Sequence, residues 1–367
     1  MLTLSDIENP KTIIGWWNDR ANERAPYLYQ SIFDLVYNNT DELEMLYGEN
    51  QPNRMLTATT DDVKAIKVDN IGFEEETLKL FSFKNYKAMS EKRRNAIRNA
   101  LQNNANQAQI EAITNTQYKD PASLLSNAQY TREILAMQAL TTGKIVVNSG
   151  NLNFTRDFHL PEEHKVKVAT PWGTMDSSPL RDIQDQIDKI ADDNGTVIAY
   201  AIMNGRTFRK IGDSGEIINT LSLGKTNTNV AMAQPAVKQL FKDTLGVTPL
   251  IYNKGVGSDR FIPDDVVVLI PEGGVGRMAW TDTNEDLGLS GDSSYQLSRT
   301  SDGITMYTKR VDNPVTTMTY ISQKFLPALD KARNIVIMNV GESGTAGAPT
   351  NVKSTPTDDG ANVTAKN

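Results

Sequence analysis

Apolar and polar positions change texture several times along the chain. From 1 to 40 the sequence is aromatic-rich but irregular: Trp16, Trp17, Tyr27, Tyr29, Phe33 and Tyr37 are separated by Pro10, Pro26 and a polar stretch at 18–24. Such a segment is too broken to make a core alone, so it predicts an arm packed on its own body or on a neighbouring subunit. Residues 41–87 read as short β-type runs at 42–47, 63–68 and 77–83, separated by turn-rich stretches at 48–53 and 69–72, and so as a long hairpin excursion.

A helix is expected after Ser90, where Ile97, Leu101, Ala105, Ala108 and Ala112 recur every three or four residues over an Asn- and Gln-rich opposite face. A second helix is expected from Pro121, capped by Asp120 and stopped at Gly143, with Leu124, Ala128, Leu135 and Ala139 as its stripe. Alternation at 144–148 and 152–158 around Asn148-Ser149-Gly150-Asn151 predicts a hairpin, and Val166 and Val168 are expected to extend its sheet. The Pro, Gly and Ser stretch at 170–179 reads as a domain boundary. Beyond it, Ser178 and Pro179 open a helix with Leu180, Ile183, Ile187 and Ile190 on one face, ending at Asn194-Gly195. A buried strand follows at 197–203, then helices near 206–211 and 235–245 and strands at 249–253 and 266–270. Strand character returns over 304–340. From Gly341 the chain has no aromatic, Leu or Ile residue, which predicts a disordered tail at 341–367. The whole reads as α+β.

Composition narrows the functions available. The 367 residues contain 39% hydrophobic positions, including 12 Met, 12 Tyr, 10 Phe and 4 Trp, enough for a sizeable core. With no cysteine there is no disulfide, thiolate nucleophile or cysteine-bearing metal site. Two histidines leave little for general base work near neutral pH and cannot form a three-histidine zinc site. The balance of 38 basic and 45 acidic residues, a net charge of -7, has the wrong sign for a protein held to nucleic acid by its overall field. No segment approaches the roughly 18 apolar residues of a membrane span. The first ten residues, carrying Asp6 and Glu8, lack the apolar region of a secretion signal, so a soluble protein remaining where it is made is expected.

Three motifs invite chemistry, and their spacing argues against each. His159-Leu160-Pro161-Glu162-Glu163-His164 holds both histidines, but Pro161 interrupts any helix that would put them on one face, so a polar loop without metal is expected. Gly224-Lys225-Thr226 resembles the end of a phosphate-binding loop, yet Asn219 stands where the first glycine belongs. Gly274-Val275-Gly276-Arg277-Met278-Ala279 matches a dinucleotide fingerprint, but strand-like sequence follows where a helix N-terminus should receive the pyrophosphate. The carboxylate pairs have no partner that would split their pKa values. The cluster Lys87, Lys92, Arg93, Arg94 and Arg98 lacks stacking aromatics and reads as a solvated or subunit-contacting face rather than a nucleic-acid site. No catalytic residue, cofactor or metal is expected.

The order of several segments resembles a known family, the major capsid proteins of tailed bacteriophages of the lambda-type capsid protein E family. The resemblance rests on Arg24-Ala25-Pro26-Tyr27-Leu28, on Ile71-Gly72-Phe73 with the strand to Phe83, and on the stretch from Met137 to Ile145. It continues with Tyr252 and the stretch from Phe261 to Leu269, Gly276, and Asp312-Asn313-Pro314-Val315 leading through Ser322, Leu326-Pro327 and Asp330 to Ile335 and Val340. It implies a structural, non-catalytic major head protein that assembles through pentamers and hexamers into an icosahedral shell around phage DNA. Its parts would be an amino-terminal arm (1–40), an E-loop (41–87), a peripheral domain with a long spine helix (88–170 plus 316–340) and an axial domain (171–315). Expected subunit contacts are Trp16, Trp17 and Tyr27 of the arm, Leu46, Tyr47, Met55, Leu56, Ile66 and Phe73 of the E-loop, and Arg93 and Arg94. A separate scaffolding protein, a portal and a decoration protein are implied partners, with assembly in the host cytoplasm, no membrane and no sequence-specific DNA binding. The competing expectation is a nucleotide-dependent enzyme using Gly224–Thr226 or Gly274–Ala279.

Overall fold

In the computed structural model, which describes residues 4–48, 73–89, 91–102, 107–149, 152–221, 233–256, 259–312 and 315–342, the chain opens with helices rather than irregular structure. These are α1 (Leu4–Glu8), α2 (Pro10–Asp19) and α3 (Tyr29–Ile32). Asn9 explains the start of α2: its side chain accepts the Lys11 N–H at 2.9 Å, and Pro10 supplies a helical φ where no N–H is needed. There follow β1 (Phe33–Tyr37), β2 (Glu42–Gly48), β3 (Phe73–Lys79), β4 (Phe81–Ala88), α4 (Glu91–Gln102), α5 (Gln107–Thr142), β5 (Lys144–Ser149), β6 (Leu152–Asp157) and β7 (Lys165–Lys167). The middle of the chain supplies α6 (Pro179–Asn194), β8 (Ile198–Met203), α7 (Gly205–Gly212), α8 (Gly215–Leu221), α9 (Gln234–Leu245), β9 (Thr248–Ile251), β10 (Gly255–Val256), β11 (Asp259–Arg260) and β12 (Val266–Pro271). The last elements are β13 (Gly276–Thr281), α10 (Asn284–Leu289), β14 (Tyr295–Arg299), β15 (Thr305–Asp312), β16 (Val315–Ala328) and β17 (Val336–Asn339).

The chain divides into two units. The first comprises residues 1–136, 187–197 and 271–334, the second 137–186, 198–270 and 335–367. The first unit is organised by the six-stranded sheet β1-β13-β16-β15-β14, in which β4 also pairs with β16. The long β16 offers one edge to β4 over 318–325 and the other first to β15 and then to β13, through registers such as Tyr320↔Tyr86 and Ala279↔Leu326. One core of this unit joins Ile13, Ile14 and Trp17 of α2, Ile97 of α4, Tyr118, Leu124, Leu125 and Ala128 of α5, and Ile304, Met306 and Ile321.

Pro121 lies inside α5 rather than at its start, and Asp120 is not a cap. A mid-helix proline forfeits one hydrogen bond and crowds the preceding turn, costing about 3 kcal/mol. Here Ala122, Leu124 and Leu125 are buried next to it, and Lys87 ties the turn by donating to Asp120 Oδ1 at 2.9 Å and Ser123 Oγ at 2.8 Å. Packing therefore overrides the local stop signal. Further along α5, Arg132 and Glu133 are both fully buried. Arg132 donates to Gln323 Oε1 (2.9 Å), Asp302 Oδ2 (3.1 Å) and the Asp302 carbonyl (2.8 Å). Glu133 accepts the Leu28 and Tyr29 N–H groups at 3.3 and 3.0 Å, at the start of α3.

The second unit contains the five-stranded sheet β7-β17-β12-β8-β9, whose strand β12 is buried at every position. Helix α6, whose first half belongs to this unit, buries Leu180, Ile183 and Ile190, while Ile187 of the expected stripe is only half-buried. The hairpin β5–β6 forms in the expected antiparallel register, ending at Ser149↔Leu152. Val166 does not extend it: β7 runs parallel to β17 in the larger sheet. The tail expected after Gly341 lies outside the described residues from 343 onward.

The domain limits also differ from expectation. Residues 271–315, expected in the axial part, cluster with the first unit because β13 takes its partners from β1 and β16. Conversely, Ile335–Val340, expected to return to the peripheral part, enters the second unit through β17, which pairs with β12. Residues 81–88 leave the expected hairpin, since β4 is a strand of the six-stranded sheet.

Replacing Arg132 with Met is expected to destabilise the first unit by about 3–5 kcal/mol, since it strips the hydrogen bonds from the Gln323 and Asp302 side chains. Arg132→Lys should not restore stability, because an ammonium cannot reproduce the three-way fork. Thermal unfolding of the two variants checks this; a wild-type melting temperature for the Lys variant would show that charge alone suffices.

Candidate subunit interface

Strands β2 and β3 pair with each other and with no other described strand. Their register runs from Glu42↔Lys79 at the base to Gly48↔Phe73 at the outer end, with 49–72 between. The base is firmly seated. Leu43, Met45 and Leu78 are buried, the Leu80 N–H donates to the Asp41 carbonyl, and Lys324 holds the Asp41 carboxylate at 2.9 and 3.0 Å. A solitary two-stranded hairpin is at best marginally stable in water, so this one depends on its fixed base.

The six-stranded sheet leaves apolar surface at its β1 edge. Parallel pairing to β13 satisfies one side of β1, while Leu35 and Tyr37 remain 46% exposed and Val36 36%. Tyr37 stays oriented because its hydroxyl donates to Asp282 Oδ2 at 2.9 Å and its ring meets Trp280 at 4.8 Å. Across β14, β15, β16 and β4, Tyr295, Tyr307, Tyr320 and Tyr86 form a ladder with ring separations of 6.2, 4.7 and 5.4 Å, ending at the exposed Tyr86. Burial, reinforced by the Glu285 charge, pushes the Tyr307 hydroxyl up to about 12. Beside the ladder, Lys84 pairs with Glu285. Burial alone would raise the Glu285 carboxyl, but the Lys84 hydrogen bond and charge bring it below the ordinary carboxylate range.

The residues expected at subunit contacts fall into three groups. Trp17 and Arg94 are buried within the chain, Trp17 in the α2–α5 core under the Arg24 guanidinium at 3.3 Å, Arg94 beside Glu8. Trp16 and Tyr27 are partly exposed; Trp16 donates to Asn115 Oδ1 at 2.9 Å, and Tyr27 has its phenol raised by burial and by Glu133. Met55, Leu56 and Ile66 lie outside the described residues, and for Leu46, Tyr47, Phe73 and Arg93 only the backbone is described, in β2, β3 and α4. Sequence reasoning missed the β1 edge and the tyrosine ladder. Alternation of Tyr307 and Lys309 against Met306 and Thr308 could have revealed the ladder's face.

The dinucleotide-like motif has a structural explanation. Gly274–Ala279 leads into β13 rather than a helix, and the glycines answer to sterics: Gly274 has φ +79° and a Cβ at Gly276 would overlap the Ala328 carbonyl. Gly224–Thr226 lies outside the described residues. His159 is exposed, whereas His164 is buried at 3% in a single 3-10 turn, Glu162–His164. Among the described residues, no group of three or more metal-ligating side chains occurs, and no helix is long and apolar enough to cross a membrane.

Residues 13–340 match the family model described as phage major capsid protein E. No curated protein matches the chain. Among solved structures, it is similar to a protein assigned as a prophage capsid protein in E. coli CFT073, with 15% identity over 91% of this chain and 99% of that one and a TM-score of 0.55. It is also similar to a phage-related protein from Bordetella bronchiseptica RB50, with 13% identity over 90% and 98% of the two chains and a TM-score of 0.52. At these identities the likeness is one of fold.

The Lys84–Glu285 pair predicts a pH signature. A carboxyl lowered on folding adds stability above its unfolded value, about 4.3, and that stability is lost as pH falls through the folded value. In Lys84→Met, Glu285 loses the hydrogen bond and charge that oppose the effect of burial on its carboxylate. The variant should therefore melt below wild type at pH 7, and the gap should close as pH falls below about 4. Paired melting curves from pH 3 to 8 test this; a gap constant with pH would show that Lys84 acts only through its hydrocarbon stem.

Proposed function

The chain belongs to the phage major capsid protein E family, and we propose that its subunits close into pentamers and hexamers by laying the β2–β3 arm of each across the next. The protein is a structural subunit that forms the shell of a phage particle. The observation that carries the ring mechanism is the arm itself, two strands paired only with each other among the described residues, on a base locked by Asp41 and Lys324. A closed ring requires a heterologous contact, in which one patch on each subunit meets a different patch on the next. The sequence between the strands supplies apolar side chains for it, Met55, Leu56 and Ile66, with Leu46, Tyr47 and Phe73 on the strands. Trp16 and Tyr27 complete the proposed contact set from the amino-terminal segment.

At about 25 cal/mol per Å², burying some 400 Å² of apolar area in each such contact contributes on the order of 10 kcal/mol before the costs of association. The arm then governs assembly rather than folding. The shell assembles in the host cytoplasm with a separate scaffolding protein, portal and decoration protein, and encloses DNA without sequence preference, in keeping with a net charge of -7.

Replacing residues 49–72 by a short Gly-Ser linker is expected to leave a soluble, cooperatively melting monomer that forms no rings or shells by electron microscopy and sedimentation. Normal particles without the segment would overturn the mechanism. A monomer that fails to melt cooperatively would assign the segment to the folding core instead.

A further inference from the structure

On the face of the six-stranded sheet that packs against α2 and α4, the side chains change character within a few residues. Met306 and Ile321, opposite one another, belong to the apolar core. Two residues along β15, Thr308 stands opposite Gln296, and two further, Arg310 stands opposite Thr317. Helix α4 makes the same transition, since Ile97 is buried in the core while Arg94 and Arg98, at i and i+4, share the adjoining face. Between them is an open cavity of about 410 Å³ lined by Arg94, Arg98, Arg310 and Glu8, with Ser293, Ser294, Gln296, Thr308 and Thr317.

Arg94 is the telling residue. Its side chain is only 7% exposed, yet its Nε and Nη1 find no hydrogen-bond partner. Glu8 approaches Nε at 3.6 Å, too far for a hydrogen bond, while its Oε2 accepts the Thr317 hydroxyl at 2.9 Å. A buried guanidinium with unmade bonds is costly, because those donors have left water without replacement. Neither Arg98 nor Arg310 has an ion-pair partner among the described residues. The lining therefore carries an excess of two positive charges in a chain whose net charge is -7.

We propose that this cavity is a binding site for a phosphate group, which the Arg94, Arg98 and Arg310 guanidiniums grip and the Ser293, Ser294 and Thr308 hydroxyls surround. Guanidinium forks match the geometry of a tetrahedral oxyanion, and phosphate at neutral pH carries close to the two negative charges the lining lacks. The group is supplied either by free inorganic phosphate or by a nucleic-acid backbone. The inference stands on this unit alone and is independent of how subunits join.

The test uses the purified protein and its Arg98→Gln and Arg310→Gln variants. These residues line the cavity without belonging to the core, so the variants should fold even where Arg94→Gln does not. Inorganic phosphate is titrated at pH 7.5 with ionic strength held constant by sodium chloride, read by melting temperature and calorimetry. A saturable rise in melting temperature is expected, with affinity reduced at least tenfold in each variant and unchanged in the control Arg209→Gln, an exposed arginine of the second unit. A short DNA duplex that displaces phosphate with the same arginine dependence identifies the backbone as the source; a duplex that does not compete identifies the free ion. No rise beyond the chloride control, or a rise retained by both cavity variants, would overturn the proposal.

Discussion

The first unit depends on two charged residues buried side by side in the middle of α5. Removing an arginine and a glutamate from water costs several kcal/mol each unless every exposed pole finds a partner. Arg132 spends its donors on Asp302 and Gln323, and Glu133 spends its oxygens on the N–H groups that open α3. Because neighbouring residues on a helix point about 100° apart, the pair grips different parts of the unit from one turn. The loop holding Asp302 and the segment holding Leu28 and Tyr29 are thereby fixed by the same helix. Apolar packing at those positions would tolerate sliding; saturated hydrogen bonds do not.

That clamp explains why the amino-terminal aromatics turn inward. Once Leu28 and Tyr29 are tied to α5, the preceding residues are short enough to lay Trp17, Ile13 and Ile14 against α5 and the sheet. Arg20 and Arg24 then cover the two tryptophan rings from outside at 4.3 and 3.3 Å, shielding apolar surface with their stems while their charges stay near water. The segment thus becomes part of the fold, and apolar surface remains elsewhere in the first unit, including the β1 edge and Tyr86 at the end of the tyrosine ladder.

Elements governed by local chemistry were legible in the sequence, and those governed by distant packing were not. Gly143, with φ +72° and an N–H bonded to the Ala139 carbonyl at 2.8 Å, ends α5 where a helix-stop residue should. Likewise α6 runs from Pro179 to Asn194 and yields at Gly195, φ +64°. Pro121 misled because its signal is also local, whereas the burial of Ala122, Leu124 and Leu125 that outweighs it depends on residues from both ends of the chain. The parallel pairing of β7 with β17 spans more than 160 residues, and no alternation within 165–168 could reveal it. Of the candidate contact residues, the burial of Trp17 and Arg94 was not legible for one reason: a bulky or charged residue in an apparently polar stretch looks exposed until its distant neighbours, such as Arg24 beside Trp17 and Glu8 beside Arg94, are placed.

Folding and assembly draw on different interactions in such a subunit, and the separation has a physical logic. The charges that would be most costly to leave open, Arg132 and Glu133, are saturated within the chain, so the subunit need not wait for a neighbour to become stable. Surfaces left open include ones that tolerate exposure: an edge strand, the exposed Tyr86 ring and an arm of two strands. Each is weak alone, and a weak contact lets a misplaced subunit leave before the shell traps it. In the proposed ring, closure would multiply these contacts, because the last subunit to join meets two neighbours and loses its freedom of motion only once. A shell built this way is held by many modest apolar contacts around subunits whose own stability was settled beforehand, and the conversion from monomer to ring can be steep in concentration without any single interface being strong.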